Sequence, residues 1–401
     1  MTERPDSTAR RLREARRSRG FAAKVSREVL AQWGARLGLL WVGLLVVAAV
    51  FAPFLANSHP LLVLEEGGWH SPALRFLTAA DATLLAAFFT LLLLWPLPLR
   101  LRVKLLLFAA VAAVAAVVSH AFLAPPQLTV YEQYREAQGA GRYQRVIYAP
   151  IPYSAQDYLR DYGDTGLEPP LAGAGRRHWF GTDENGADVL SRMIHAARIA
   201  LSIGFVATGI ALVIGVIIGG LMGYFSGVVD ILGMRLLEIF EAIPVIFLLL
   251  TLVAFFGRDL YMMMVIIGLT GWPGFARYVR AEFLRLRQQE FVQAAIACGL
   301  PLRSVLFRHM LPNGMAPVLV TLSFSVASAI LAEATLSFLG LGPVGEPSWG
   351  QMLNQAVQAA TFNWWMAVFP GGAIFLTVLA YMLIGEAIRD AIDPYLKKAA
   401  R

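Results

Sequence analysis

Residues Ile199 to Tyr224 read IALSIGFVATGIALVIGVIIGGLMGY, a run without one charged side chain. A bilayer's hydrocarbon layer takes about 20 helical residues to cross, so this run is long enough to span it. Gly215, Gly219 and Gly223 recur four apart on one helical face, which lets another helix approach closely in lipid. That stripe reads either as ordinary helix packing or as part of a gate. The rest of the chain has the same character, with 57% hydrophobic and only 15% charged residues in 401. The fold class is all-α, a polytopic membrane helical bundle.

Working outward, about eight spans are expected: 37–56, 80–99, 103–123, 197–224, 232–256, 259–276, 315–339 and 366–388. The first apolar run is about a full span long and lacks a small-residue cleavage site, so it reads as a retained anchor. The net charge is +7, and ten basic residues fall within the first 36, directly before that span. The positive-inside rule explains this better than nucleic-acid binding and places the N-terminus in the cytoplasm. An even number of spans returns the C-terminus to the same side. Arg100, Arg102 and Lys104 then fall in a cytoplasmic turn, as do Arg277, Arg280, Arg285, Arg287, Arg303 and Arg308. The segment Ala124–Arg192 falls outside, where nine acidic residues outnumber seven basic ones. The expected organisation is a basic cytoplasmic tail over 1–36, a first helix over 37–56, an external loop over 57–79 and an inserted transmembrane hairpin over 80–123. An external segment over 124–196 follows, then a core over 197–388 with a cytoplasmic loop at 277–314, and a cytoplasmic tail over 389–401. Pro96 and Pro98 crowd the turn of the inserted pair, which leaves a re-entrant hairpin as the alternative there.

Two polar stretches interrupt the apolar pattern. The first is Glu290–Asn313, EFVQAAIACGLPLRSVLFRHMLPN. Glu290 to Cys298 has helical composition, Gly299-Leu300-Pro301 breaks it, Leu302 to Met310 makes a second helix and Pro312 closes that one. Cys298, the single cysteine, is expected to pack inside this loop and excludes an internal disulfide. The second stretch is His178–Arg192, HWFGTDENGADVLSR. Thr182 or Asp183 can N-cap a helix there, and Asp188 with Arg192 makes an i,i+4 pair. Capping alone accounts for the motif as well as a surface that receives another protein does.

Several of these patterns resemble one family. Gln293-Ala294-Ala295, Gly299 and Leu311-Pro312 look like the "EAA" loop of permease subunits of ATP-binding cassette importers, with Gln where that family has Glu. The 178–192 stretch resembles the signature before the second core span in the peptide/nickel class. Gly223–Gly227 with Asp230 and Arg235, Trp272–Arg280, Glu333–Gly342, Trp349-Gly350 and Arg389–Pro394 are similar to the C-type subunit of oligopeptide and dipeptide importers. The first span with Pro60–Val63 and Ala149–Ile151 is more similar to the branch importing microcin C and longer peptides. The inserted pair departs from the family's six-span plan.

The resemblance implies a type I importer permease fold in a bacterial cytoplasmic (inner) membrane. It implies a second permease subunit, usually a different chain, two ATP-binding cassette ATPase subunits and an extracytoplasmic solute-binding protein. Glu290, Gln293, Ala294, Ala295, Gly299, Leu311 and Pro312 would form the ATPase-coupling loop. Gly181, Thr182, Asp183, Gly186, Asp188 and Arg192 would be candidates for facing the binding protein. The resemblance also implies a peptide substrate, with nickel and other small solutes open.

No motor is legible in the chain itself. None of Lys24, Lys104, Lys397 and Lys398 follows a glycine, so the Gly-Lys-Ser/Thr phosphate loop is absent, and ATP and Mg belong on partner subunits. No His-Glu-x-x-His, Gly-x-Ser-x-Gly or Cys/His zinc pattern occurs, which leaves no catalytic or metal residues to name and no cofactor for this chain. Glu333 lies in an apolar run, where a carboxylate is expensive unless it meets a partner or water. It is the candidate for lining a translocation path; filling a packing defect or lying solvated at a span end are the other readings. An ion-coupled secondary transporter and a non-transporting assembly subunit are the alternative functions.

Overall fold

The structure, a computed structural model, describes residues 24–65, 67–99, 101–126, 129–159, 166–171, 177–359, 361 and 363–392. The expectations for the first 23 residues and for Arg100, Asp393, Pro394, Lys397 and Lys398 lie outside these. In chain order come α1 (Trp33–Val50), β1 (Leu62–Glu65), β2 (Gly68–His70), α2 (Ala79–Leu94), α3 (Leu101–Phe122) and β3 (Arg145–Ile147). Then follow α4 (Val189–Phe225), α5 (Gly227–Ala242), α6 (Val245–Phe256), α7 (Leu260–Arg287), α8 (Glu290–Ala297), α9 (Leu311–Leu336), α10 (Trp349–Gln358) and α11 (Trp364–Ile392).

Among the described residues, five helices are long and apolar enough to cross a membrane, and six if α5 and α6, bent by 81° at their junction, count as one span. The sequence reading expects about eight, and three local features explain the difference. The expected span 232–256 breaks at Ile243-Pro244, because a proline cannot continue the hydrogen-bond ladder. The run beginning at residue 80 stops at Leu94 before Pro96 and Pro98, giving 16 residues instead of a full crossing. The run beginning at 259 continues without a break into an arginine-bearing half, so α7 is a single helix of 28 residues.

The chain divides into two compact units. One comprises Met1–Gly43, Ser202–Leu336 and Ile374–Arg401. Its core is set by the glycine stripe of α4. A Cβ at Gly219 would stand 2.3 Å from the Ala276 carbonyl oxygen, at Gly215 2.4 Å from Phe275 Cβ, and at Gly223 2.6 Å from the Arg280 carbonyl oxygen. The backbones of α4 and α7 therefore touch, as small-residue stripes allow. Around that seam Phe275, Val279, Phe283 and Leu286 pack with Val292, Ala295, Val305, Met310 and Val318.

The other unit comprises Leu44–Leu201 and Ser337–Ala373. Here α2 and α3 form an antiparallel pair, tied at one end by Thr83 and Ser119 (3.2 Å) and at the other by Lys104 Nζ, which donates to the Trp95 carbonyl (2.9 Å). Arg198 on α4 holds the pair in place through Asp81 (2.6 Å) while its Nε and Nη2 donate to the Ala49 carbonyl. A small antiparallel sheet, ordered β2-β1-β3, pairs Val63 with His70 and with Val146. Its strands have three or four residues each, too short for an alternating pattern to stand out in the sequence.

Beside the sheet, His59 is buried and stacked on Phe76 with centroids 3.6 Å apart, between Tyr131 and Tyr134. Burial and the nearby Arg135 guanidinium lower its pKa to about 4. Arg135 is itself paired with the fully buried Asp157, which also accepts from Ser58 Oγ.

Candidate functional site

The polar loop 290–313 folds as a helix, a tight turn and a second helix. α8 opens after two intervening residues, Gln288 and Gln289, and buries only Val292 and Ala295, which pack into the core beneath. Burying a valine completely contributes about 1.5–3 kcal/mol, enough to seat a two-turn helix that has little stability alone. Gly299 then takes φ +68°, the Gly299 N–H donates to Ile296 O (2.9 Å) and the Leu300 N–H to Ala295 O (3.2 Å). This is a Schellman cap, which favours glycine at the left-handed position. Cys298 precedes it and is exposed, not packed inside as expected, because the buried face of α8 runs through Val292 and Ala295 and Cys298 has turned away from it.

Gln293 is exposed, and its Nε2 donates to the Arg287 carbonyl (2.7 Å), one of the orphan acceptors at the end of α7. A glutamate at that place has no proton to donate when ionised, so the Gln for Glu departure replaces a charge with a helix-end hydrogen bond. Glu290 is exposed in the first turn of α8, where an acid suits the helix dipole.

The second helix does not stop at Pro312. The backbone passes from Leu302–Ser304 into a π-helical stretch, Val305–Met310, and straight into α9. The wide π turn makes room for a proline ring in the following turn, so Leu311 and Pro312 belong to a span's first turn and do not end the loop. The loop leaves apolar side chains uncovered beside its polar ones: Phe291, Ile296, Leu300, Leu302 and Phe307 are exposed with Ala294, as are Glu290, Gln293, Arg303 and Arg308.

The 178–192 motif is internal. Gly181, Thr182, Asp183, Gly186, Asp188 and Arg192 are all buried, so the side chains expected at an external face serve the unit's own structure. Asp188, not Thr182 or Asp183, caps α4: its Oδ1 accepts from the Ser191 N–H (2.7 Å) and its Oδ2 meets His178 Nδ1 (2.8 Å). With Asp188 committed there, the expected Asp188–Arg192 pair does not form. Arg192 pairs with Asp183 and donates to Gln355 Oε1 (2.8 Å), while Asp183 Oδ1 accepts from the Asn185 and Ala187 N–H groups. Thr182 bridges to Glu168, and its carbonyl accepts from Trp365 Nε1 (3.0 Å). Gly181 and Gly186 hold φ of +76° and +77° in the turns between. Trp179 and Asn185 are the exposed members of the motif.

Glu333 is buried, 2% exposed, within α9. It is not among the residues lining a cavity of about 170 Å³ in the same unit. That cavity lies between Thr208 and Ala211 of α4, Val245 and Leu249 of α6, Thr270 and Phe275 of α7, and Ser325 and Ala329 of α9. Sequence reading did not find this cavity, since its walls come from four helices and carry no charge.

The charged residues of α5 are partly spent inside the chain. Asp230 accepts from one edge of the Arg280 guanidinium, Nε to Oδ1 and Nη2 to Oδ2 (2.7 Å), and Glu241 pairs with Arg277. Arg235 and Glu238 pair with each other on the exposed face.

Residues 215–398 match the family model described as binding-protein-dependent transport system inner membrane component. The dipeptide transport system permease protein of Alkalihalophilus pseudofirmus is 38% identical over 252 residues, 63% of this chain and 81% of that protein. The chain belongs to this family. An oligopeptide transport system permease protein of Haemophilus influenzae is 38% identical over 246 residues, 61% of this chain and 77% of its own length. The Escherichia coli inner membrane ABC transporter permease protein YejE is 33% identical over 358 residues, 88% of this chain and 92% of that one, so the likeness takes in most of the segment before residue 178. Among solved structures, an inward-facing MetNI methionine ABC transporter covers 51% of this chain at 18% identity, with a TM-score of 0.44. The chain is accordingly a multi-pass inner-membrane permease subunit of a binding-protein-dependent ABC importer, and the secondary-transporter and assembly-subunit alternatives fall away.

Proposed function

We propose that this permease subunit forms half of a peptide importer and that the 290–313 loop is where a separate ATPase subunit docks. The observation that carries this is the division of labour on α8: Val292 and Ala295 anchor it below, while Phe291, Ala294 and Ile296 stay exposed above. An apolar face on a short, well-anchored helix suits insertion into a cleft on another protein. ATP and Mg are held by that partner, a second permease chain completes the path, and a solute-binding protein delivers substrate from outside. The arginine-bearing loops and both termini lie in the cytoplasm, and residues 124–196 face outward. Trp179 and Asn185 are the members of the 178–192 motif available to meet a binding protein; the buried ones shape the platform beneath. Peptide is the cargo because the relatives named for dipeptide and oligopeptide transport are each 38% identical to this chain, over 252 and 246 residues.

The single cysteine supplies the test. Cys298 is exposed at the tip of α8, so a photocrosslinker attached to it should capture an ATP-binding subunit in membranes, and should attach only when the cytoplasmic side is open. Labelling of Cys298 from the outside, or no capture although an ATPase co-purifies, would contradict the docking site.

A further inference from the structure

Resting on the docking role of the 290–313 loop, we propose that Arg277, Arg280 and Arg287 form a yoke that makes the bent pair α5–α6 move with the loop. α5 is poorly attached by apolar packing. Leu237 is its one buried residue among sixteen, helped by an edge contact of Phe240 on Trp272 (5.4 Å) and by Gly233 against Met222. The polar contacts hold it elsewhere. Asp230, in its first turn, is held by two guanidinium nitrogens of Arg280, and Glu241, in its last turn, by Arg277, one helical turn earlier on α7. Arg287, in the last turn of α7, donates to Ser226 Oγ (2.6 Å) and lies over the Tyr224 ring (5.8 Å). Ser226 itself takes φ +51°, so the α4–α5 corner is a strained turn that this arginine pins.

The arm carrying the yoke is the arm that carries the loop. α7 runs from Trp272, against α5, to Arg287, whose carbonyl holds Gln293 of α8. At the other end of the bent pair, Val245 and Leu249 of α6 form one wall of the cavity, opposite Ser325 and Ala329 of α9. A push on α8 is therefore carried by α7 to both ends of α5, and through the Ile243-Pro244 corner to the cavity wall. The three arginines are positioning residues for transport. On the topology proposed above, their charge also holds the loop on the cytoplasmic side.

The test uses the transporter purified with its partners and reconstituted in liposomes. Asp230→Ala and Arg280→Ala should leave ATPase subunits bound and hydrolysing ATP while substrate moved per ATP falls about tenfold. The charge-reversed double variant, Asp230→Arg with Arg280→Asp, should recover most of it. Unchanged transport per ATP in the single variants overturns the proposal, and so does loss of the ATPase subunit, which would make the pairs part of docking. If the variants do not insert, spin labels on an otherwise unaltered Cys298→Ser chain decide. The distance between labels at Leu232 and Arg303 should stay fixed between nucleotide-free and ATP-bound states while that between Leu232 and Leu331 changes. Equal changes in both overturn the yoke. Absence of any ATP-dependent uptake by the unaltered transporter would instead count against the importer reading itself.

Discussion

Single residues decide how the loop and the buried motif hold their shape. Gly299 has open space where a Cβ would stand, so its only requirement is the positive φ. Gly299→Ala should therefore weaken the cap of α8 by about 1–2 kcal/mol, and Gly299→Val by more, without disturbing the core. Uptake per ATP should drop while the chain's thermal transition in detergent stays within a few degrees; intact coupling in the valine variant would contradict the cap's role. Arg192 is the opposite case, a buried charge whose loss leaves Asp183 buried and unpaired. Arg192→Ala should destabilise by about 3–5 kcal/mol and abolish accumulation of the chain in membranes, whereas Arg192→Lys retains part of it. The motif was legible in the sequence as a polar stretch leading into a helix, though not which residue caps it. Its burial was not, because the partners that enclose it, Gln355 and Trp365, lie far along the chain.

At the scale of elements, the glycine stripe was the clearest signal, since spacing of four on an apolar run has one geometric consequence. Gly219→Val places carbon atoms where the Ala276 carbonyl already stands, so α4 and α7 must separate and the midpoint of thermal unfolding should fall sharply; an unchanged midpoint would mean that the helices do not touch. Helix breaks were legible only in part. Pro244 and the Pro96/Pro98 pair stop helices, yet Pro312 does not, because the π stretch ahead of it relieves the clash. Which acid meets which arginine was out of reach, since α5 and α7 are placed by the corner at Ser226 and not by any local pattern. The sheet-bearing segment around His59 carries a pH dependence of its own. His59 has a folded pKa near 4 against 6.5 when unfolded, so the unfolded segment binds the proton first. Its stabilising contribution is complete above pH 6.5 and declines by about 1.4 kcal/mol per unit as pH falls toward 4. Hydrogen exchange at β1, corrected for intrinsic rates, should show protection lost through that window, and His59→Phe should remove the slope.

The whole molecule is a permease whose helical, membrane-embedded character could be read before any coordinates. The number of full-length spans could not, because a broken pair and a short hairpin helix share the composition of true spans. On the function proposed above, α8 is the contact through which a separate ATPase drives the rest. Ala294 and Ala295 are neighbours in sequence, but Ala295 is buried, so only Ala294 changes the surface without disturbing the core. The direct measurement is an affinity pull-down of the tagged chain from mild detergent, identified by mass spectrometry and repeated with Ala294→Asp. The account predicts an ATP-binding subunit in the first sample and its loss from the second, with the second permease chain retained in both. An ATPase recovered equally in both samples, or in neither, would contradict it.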